Sequence, residues 1–237
     1  MKKLIIIPAY NEEETIASLL GEIREAVEDR FDVVVVNDCS TDQTLDICRR
    51  FDDVTILDLT YNLGIGGAVQ TGYRYAWKNG YDAAIQLDGD GQHDPRFLDM
   101  LVTMLQQGEY DMVIGSRFLE REGFQSSGTR RLGISFFQWL IQVLAGARIT
   151  DPTSGFRACN RRVIRMFAED YPRDYPEPET NARLLRLGMR VKEIPVVMRE
   201  RQGGQSSIRV LQPLYYMIKV TAAICIDYLR GTTKGDL

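Results

Sequence analysis

Residues 84–95 read AIQLDGDGQHDP, an apolar run that ends in three aspartates, two glycines, a glutamine and the only histidine of the chain. Carboxylates crowded at the end of a buried strand repel one another where water screens them least, so a positive partner is needed. In an extended or gently turned segment, residues i, i+2 and i+4 share a face. Asp88, Asp90 and Gln92 therefore converge, while Gly89 and Gly91 permit tight turning. Oxygen ligands without thiolates suit Mg²⁺ or Mn²⁺, with water or phosphate oxygens in the remaining positions. An EF-hand is excluded, because the sixth position from Asp88 is His93 instead of glycine and the twelfth is Asp99 instead of glutamate. The structural alternative is an Asx-rich turn that caps the helix after Pro95. His93 reads as a turn residue or a group behind the ligands, not as a catalytic base.

Working outward, the same design recurs. Apolar runs KLIII (3–7), DVVVV (32–36), VTILDL (54–59), DAAIQL (82–87) and DMVIG (111–115) are separated by helical segments. Such alternation predicts parallel strands with crossover helices, and Val/Ile/Leu runs without polar alternation predict strands covered on both faces. The fold class is α/β, a Rossmann-like and mostly parallel sheet, whose ligands bind beyond the carboxyl ends of the strands. The polar clusters of the first half lie at those ends. After residue 116 the rhythm breaks into a Gly/Ser/Arg-rich loop, a helix-like LGISFFQWLIQVLAG (132–146) and DPTSGFRACNRR (151–162), read as an α+β acceptor-side region decorating the core. Residues 1–207 are expected to form one domain, with residues 208–237 as an amphipathic helix and tail.

The 237 residues carry a net charge of −4 that conceals an asymmetry. Residues 1–115 hold 21 acidic and 9 basic residues, and residues 116–237 hold 12 and 20. An acidic first half suits a metal, and a basic second half suits an anionic partner such as phosphate, nucleic acid or a membrane surface. Four cysteines without C-x-x-C or zinc spacing argue against a metal knuckle and fit a reducing compartment. The start, MKKLIIIPAYNEEE, reads as a first strand and not as a signal peptide.

The motifs IIIPAYNEEETI, VVVVNDCSTDQT, NLGIGGAVQTG, QLDGDGQHDP, VIGSRF, DPTSGFR and RERQGGQSS occur in the order and spacing of family 2 glycosyltransferases of the GT-A fold. They most resemble the branch that glycosylates polyprenyl phosphates, of the dolichyl-phosphate mannosyltransferase and undecaprenyl-phosphate glycosyltransferase type. The resemblance implies that Pro8, Ala9, Tyr10 and Glu12 form the nucleoside-binding turn and that Asp38 accepts a hydrogen bond from the base. It also implies that Asp88, Gly89, Asp90 and Gln92 hold metal and diphosphate. GIGGAVQTG (64–72) looks like a phosphate-cradling glycine turn but departs from G-x-G-x-x-G at Val69, which argues against a dinucleotide oxidoreductase.

On the acceptor side, Arg117, Arg131 and Ser135 match the positions that hold the acceptor phosphate, a role that suits the planar guanidinium fork. Arg201 or Arg199, with Ser206, matches a segment that folds over the donor diphosphate, although Ser207 stands where the family usually has lysine. Asp151, together with Glu177 or Glu179, completes the acids expected near the site. The implied enzyme is a metal-dependent inverting glycosyltransferase that takes a sugar from a UDP- or GDP-sugar to a polyprenyl phosphate, peripheral on the cytoplasmic membrane face. No nucleic-acid partner is implied, and a second copy or a small membrane partner protein is compatible with it. A sugar hydroxyl as acceptor, and a catalytically silent nucleotide-sugar-binding protein, are the alternatives.

Overall fold

The structure is a computed structural model that describes residues 1–120, 128–199 and 212–229, with side chains for 1–120, 131–199 and 217–229. In chain order the strands and α-helices are β1 (Lys3–Ala9), α1 (Ile16–Val27), β2 (Asp32–Asn37), α2 (Thr44–Cys48), β3 (Val54–Asp58), α3 (Gly64–Lys78) and β4 (Ala83–Gln86). They continue as α4 (Leu98–Gln106), β5 (Met112–Ser116), α5 (Gly128–Ala145), β6 (Arg157–Asn160), α6 (Arg161–Glu169), α7 (Pro176–Arg186), β7 (Val191–Pro195) and α8 (Gln212–Leu229). The five expected strands are all present, each within two residues of its expected ends.

One sheet runs in the order β3-β2-β1-β4-β6-β5-β7. Its pairings are parallel except those of β6, which is antiparallel to β4 and β5. The second half is therefore more than decoration, since it supplies β6 in the middle of the sheet and β7 at its edge. Period-two alternation sends Leu4, Ile6, Val34 and Val36 into the core under α3, α5 and α6, and Ile5, Ile7 and Val35 into the core under α1 and α4. Each fully buried side chain of this kind contributes about 1.5–3 kcal/mol.

Two glycines of α3, Gly66 and Gly72, serve packing. A Cβ on Gly66 would fall 2.1 Å from the carbonyl oxygen of Pro172, and one on Gly72 would fall 2.2 Å from Cγ2 of Ile6. These glycines let α3 lie against β1 and the segment before α7. The Gly66 amide also donates to the Arg173 carbonyl at 3.0 Å.

β6 sets where the loop before it lies. Because it runs against its neighbours, its leading end lies at their carboxyl ends, and the DPTSGF loop before it arrives at that edge of the sheet. The excursion from β5 to β6 closes tightly there. The Gly115 amide donates to the Phe156 carbonyl at 2.8 Å, and the Ser154 hydroxyl donates to the Gly115 carbonyl at 2.7 Å.

α8 packs on α5 and α7. Val220 and Ile224 enter the core, and Arg186 grips Asp227 through two 3.0 Å bonds. Ile218, Ile226 and Leu229 remain exposed, so the helix is apolar on more than one flank.

Candidate active site

The turns after β1 and β2 are tied together. Asn11, with φ of 55°, donates its backbone amide to Ser40 Oγ at 3.0 Å and accepts from the Thr41 amide at 2.8 Å. Pro8 and Ala9 are buried beneath this turn, and Tyr10 is half exposed at its surface. The buried Glu12 accepts from the Thr15 hydroxyl at 3.2 Å. Asp38 is also buried, and its two carboxylate oxygens accept from the amides of Leu63 and Gly64 at 2.7 and 2.9 Å. It thus caps the start of α3 from the end of β2. Burial pushes its carboxyl up, against the lowering effect of those two amides.

The loop after β4 carries Asp88, Asp90 and Gln92. Gly89 lets it pass close to β1, because a Cβ there would sit 3.2 Å from the Pro8 carbonyl oxygen. Gly91 adopts φ of 73°, and the Gln92 amide donates to Asp90 Oδ1 at 3.1 Å. Asp88 accepts from the Gln86 side chain at 3.2 Å, and Gly155 abuts its carboxylate so closely that a Cβ would fall 2.9 Å from Oδ2. Among the described residues no group of three or more His, Cys, Asp or Glu converges. The donor set is instead two carboxylates and one amide, a set that fits a hydrated Mg²⁺ or Mn²⁺ completed by phosphate oxygens.

His93 stands behind this loop, buried and stacked on Phe156 with ring centroids 4.9 Å apart. Its Nδ1 accepts the backbone N–H of Asp88 at 3.1 Å, so the ring proton resides on Nε2, which lies 3.9 Å from Asp88 Oδ2. The sequence places His93 in a supporting role, and the structure adds that it holds the Asp88 backbone amide, with Nε2 facing the Asp88 carboxylate at 3.9 Å. His93→Phe preserves a ring against Phe156 while removing the acceptor for that amide, and it is expected to weaken Mn²⁺ binding roughly ten- to a hundredfold. His93→Asn should recover part of the loss. Electron paramagnetic resonance titration with Mn²⁺ and UDP reads this out, and undiminished affinity in His93→Phe refutes it.

On the acceptor side, Arg117 leaves β5 and is buried against the fully enclosed Asp151. Its Nε and Nη2 donate to the two Asp151 oxygens at 2.6 and 2.7 Å, and Nη2 also reaches Thr153 at 2.9 Å. Asp151, one of the acids expected near the site, thus has both oxygens in an arginine fork, an arrangement in which a carboxylate does not serve as a general base. Arg131 and Ser135 are exposed on α5 and line a cavity of about 180 Å³. Phe118, Gln138, Arg148 and Thr150 are also in its wall. Behind Thr150, Glu193 accepts from the Thr150 and Asp151 amides, both at 2.7 Å. Burial raises the Glu193 carboxyl, and those amides lower it. Glu179 lies partly buried on α7, where burial and then Asp227 and Asp170 push its carboxyl up. Glu177 is also on α7 and partly buried.

Arg199 is engaged structurally, with its guanidinium bonded to Glu22 and 3.3 Å from Asp94. Its amide donates to the Gln92 carbonyl at 3.0 Å, so the chain leaves β7 alongside the loop that carries Asp88 and Asp90. Arg201 and Ser206 lie outside the described residues, as does the side chain of Arg130. Sequence reasoning passes over Arg148, whose only signal is a basic residue just before DPTSGFR.

Comparison with known proteins bears on this geometry. The sequence profile of Glycosyl transferase family 2 matches residues 4–170. An undecaprenyl-phosphate mannosyltransferase of Micrococcus luteus is 35% identical over 216 residues, covering 88% of each chain. The polyprenol monophosphomannose synthase of Mycolicibacterium smegmatis is 29% identical, over 87% of this chain and 81% of the relative. Glucosyl-3-phosphoglycerate synthase from Mycobacterium tuberculosis, crystallised with Mn²⁺, UDP and glucosyl-3-phosphoglycerate, superposes with a TM-score of 0.71. The match covers 99% of this chain and 82% of that one at 20% identity. The same synthase has also been crystallised with Mg²⁺ and UDP.

Proposed function

This chain belongs to glycosyl transferase family 2 and has the GT-A fold, and from that premise we infer that it transfers a sugar, with inversion, from a nucleoside-diphosphate sugar to a polyprenyl phosphate. The observation that carries the acceptor class is the cavity beside α5, which Arg131 and Ser135 line and to whose described wall no carboxylate contributes. A sugar hydroxyl would need a base within hydrogen-bond reach. A phosphate monoester, with a second pKa of about 6, is already anionic at neutral pH.

In this reading the turns around Pro8, Tyr10 and Asp38 hold the nucleoside, and Asp88, Asp90 and Gln92 hold the divalent cation. When bound, that cation offsets the charge that builds on the leaving diphosphate. Arg131 and Ser135 orient the acceptor phosphate for in-line attack. One acceptor oxygen forms the new bond to the anomeric carbon, the bond to the diphosphate breaks, and its electron pair departs with the nucleoside diphosphate. No proton need move. His93 and Gln86 act only through Asp88.

Purified protein incubated with UDP- and GDP-sugars and Mn²⁺, with and without polyprenyl phosphate, is expected to release a nucleoside diphosphate and to form a lipid bearing one phosphate. Release of a nucleoside monophosphate, or equal transfer to a glycan without lipid phosphate, overturns the reading.

The same proposal places the protein at a lipid surface. Leu132, Trp139 and Val143 are exposed along α5, and Ile218 and Ile226 are exposed on α8, which packs on α5. No helix among the described residues is long and apolar enough to cross a membrane, so contact would be in the plane of the interface. In this reading α5 and α8 together carry the contact. Flotation with anionic vesicles is expected for the wild type and should be lost in Trp139→Glu/Val143→Glu, and equal behaviour of the two proteins refutes the surface role.

A further inference from the structure

Arg131 and Arg148 line the same cavity, approached from different elements, the one on α5 and the other on the segment leading from α5 to Asp151. Both are exposed. Among the described residues neither makes an ion pair, although the chain is otherwise rich in them. The nearest carboxylates are already committed. Asp151 is in the fork of Arg117, and Glu193 accepts from Thr150 and from the Asp151 amide. Two guanidiniums that share one concavity with no counter-charge in its wall repel each other, and a bound anion relieves that repulsion.

The other polar groups of the wall narrow what that anion supplies. Gln138 donates to the Thr150 carbonyl, and the Thr150 hydroxyl is bonded to Ser116 at 2.7 Å and to Glu193 at 2.9 Å. The Ser135 hydroxyl is the one in the wall that makes no hydrogen bond among the described residues. The cavity thus offers two cationic forks and one hydroxyl. A doubly charged terminal phosphate meets both forks, whereas a singly charged phosphodiester leaves one in excess.

We propose that Arg148 is a second acceptor-phosphate ligand, paired across the cavity with Arg131, and that the pair selects a phosphate monoester dianion over a phosphodiester. The proposal rests on the acceptor reading above and assigns it a residue and a charge state. Arg117 keeps a different place. Its Nε and Nη2 donors are bound by Asp151 and Thr153, and its guanidinium sits 5.4 Å from the ring centre of Phe118, another wall residue. It shapes the wall that Arg131 and Arg148 face.

Calorimetry with a short, water-soluble prenyl phosphate, in the absence of donor, tests Arg148 without requiring turnover. Arg148→Gln is expected to weaken binding roughly ten- to a hundredfold, the loss typical of one charge-assisted contact, while leaving UDP·Mn²⁺ affinity unchanged. Arg148→Lys should fall between wild type and Arg148→Gln. The methyl diester of the same prenyl phosphate should bind wild type more weakly than the monoester and lose this disadvantage in Arg148→Gln. Inorganic phosphate should bind more weakly than the prenyl ester but show the same dependence on Arg148. If wild type binds the prenyl phosphate and Arg148→Gln binds it equally, the Arg148 proposal fails and the acceptor reading stands. If wild type binds neither phosphate, both fail. Because Arg148 is exposed, the substitution disturbs no packed contact, and an unchanged thermal midpoint verifies that.

Discussion

Asp88→Asn is expected to remain folded and to transfer sugar at less than a hundredth of the wild-type rate. The substitution retains the shape that faces Gly155 and an oxygen that can accept from Gln86 at the 3.2 Å position. It removes a negative charge that, in the proposed reading, draws a divalent cation to the loop. Loss of charge stabilisation on a leaving group typically costs two to three orders of magnitude. UDP affinity should fall in parallel, because the diphosphate is held through the cation. Chelation of wild type should reproduce the defect. Transfer assays beside calorimetric titration with UDP, with Mn²⁺ and with chelator, measure both effects. Near-normal turnover in Asp88→Asn, or UDP binding that ignores the chelator, excludes the metal role.

Asp151→Ala should produce the largest loss of stability, about 3–5 kcal/mol, by stranding the Arg117 guanidinium in a site from which water is excluded. For a domain of this size such a loss lowers the thermal midpoint by on the order of 10 °C. The double substitution Arg117→Met/Asp151→Leu removes both charges and is expected to regain at least half the deficit, since apolar replacement of a buried pair is often nearly neutral. Urea denaturation followed by circular dichroism compares the three proteins. An unchanged midpoint in Asp151→Ala would mean that the pair is solvated in solution. A double variant no better than the single would place the cost in packing instead of charge.

How far the sequence could be read follows from what each element is made of. β1, β2 and β4 are short runs of buried aliphatic residues bounded by polar turns, and such runs declare themselves. β6 does not, because its residues are Arg157, Ala158, Cys159 and Asn160, and the Arg157 side chain is fully buried. Its guanidinium is accommodated by the Thr180 hydroxyl at 2.8 Å and the Ser154 carbonyl at 2.6 Å, partners far away or unremarkable in the sequence. β7, VKEIP, lies at the sheet edge and carries two charges, Lys192 exposed and Glu193 bound by the Thr150 and Asp151 amides.

The proposed donor-side cluster was readable because Asp88, Asp90 and Gln92 stand at alternate positions of one loop. The acceptor side was legible only in part. Arg117 and Asp151 are 34 positions apart, and each alone suggests a separate chemical role, while their contact makes them one structural unit. Arg148 lacks any motif of its own, and only the fold brings it to the cavity that Arg131 lines.

The closure between β5 and β6 has a consequence for how such chains diversify. Residues 117–155 leave the sheet and return to it at neighbouring strands, with the two ends bonded through Gly115, Ser154 and Phe156. The residues proposed for the acceptor side, Arg131, Ser135 and Arg148, lie inside this excursion with Arg117 and Asp151, whereas those proposed for the donor side, Asp38, Asp88, Asp90 and Gln92, lie outside it. In the proposed reading, recombination with junctions at Ser116 and Gly155, retaining Gly155 against Asp88, would exchange the acceptor groups and spare the donor groups. The entropic cost of closing a longer or shorter insert is small, about 0.6 kcal/mol for each doubling of length. The pairing of donor and acceptor is thereby made modular, and a graft is free to change what is glycosylated without rebuilding what supplies the sugar.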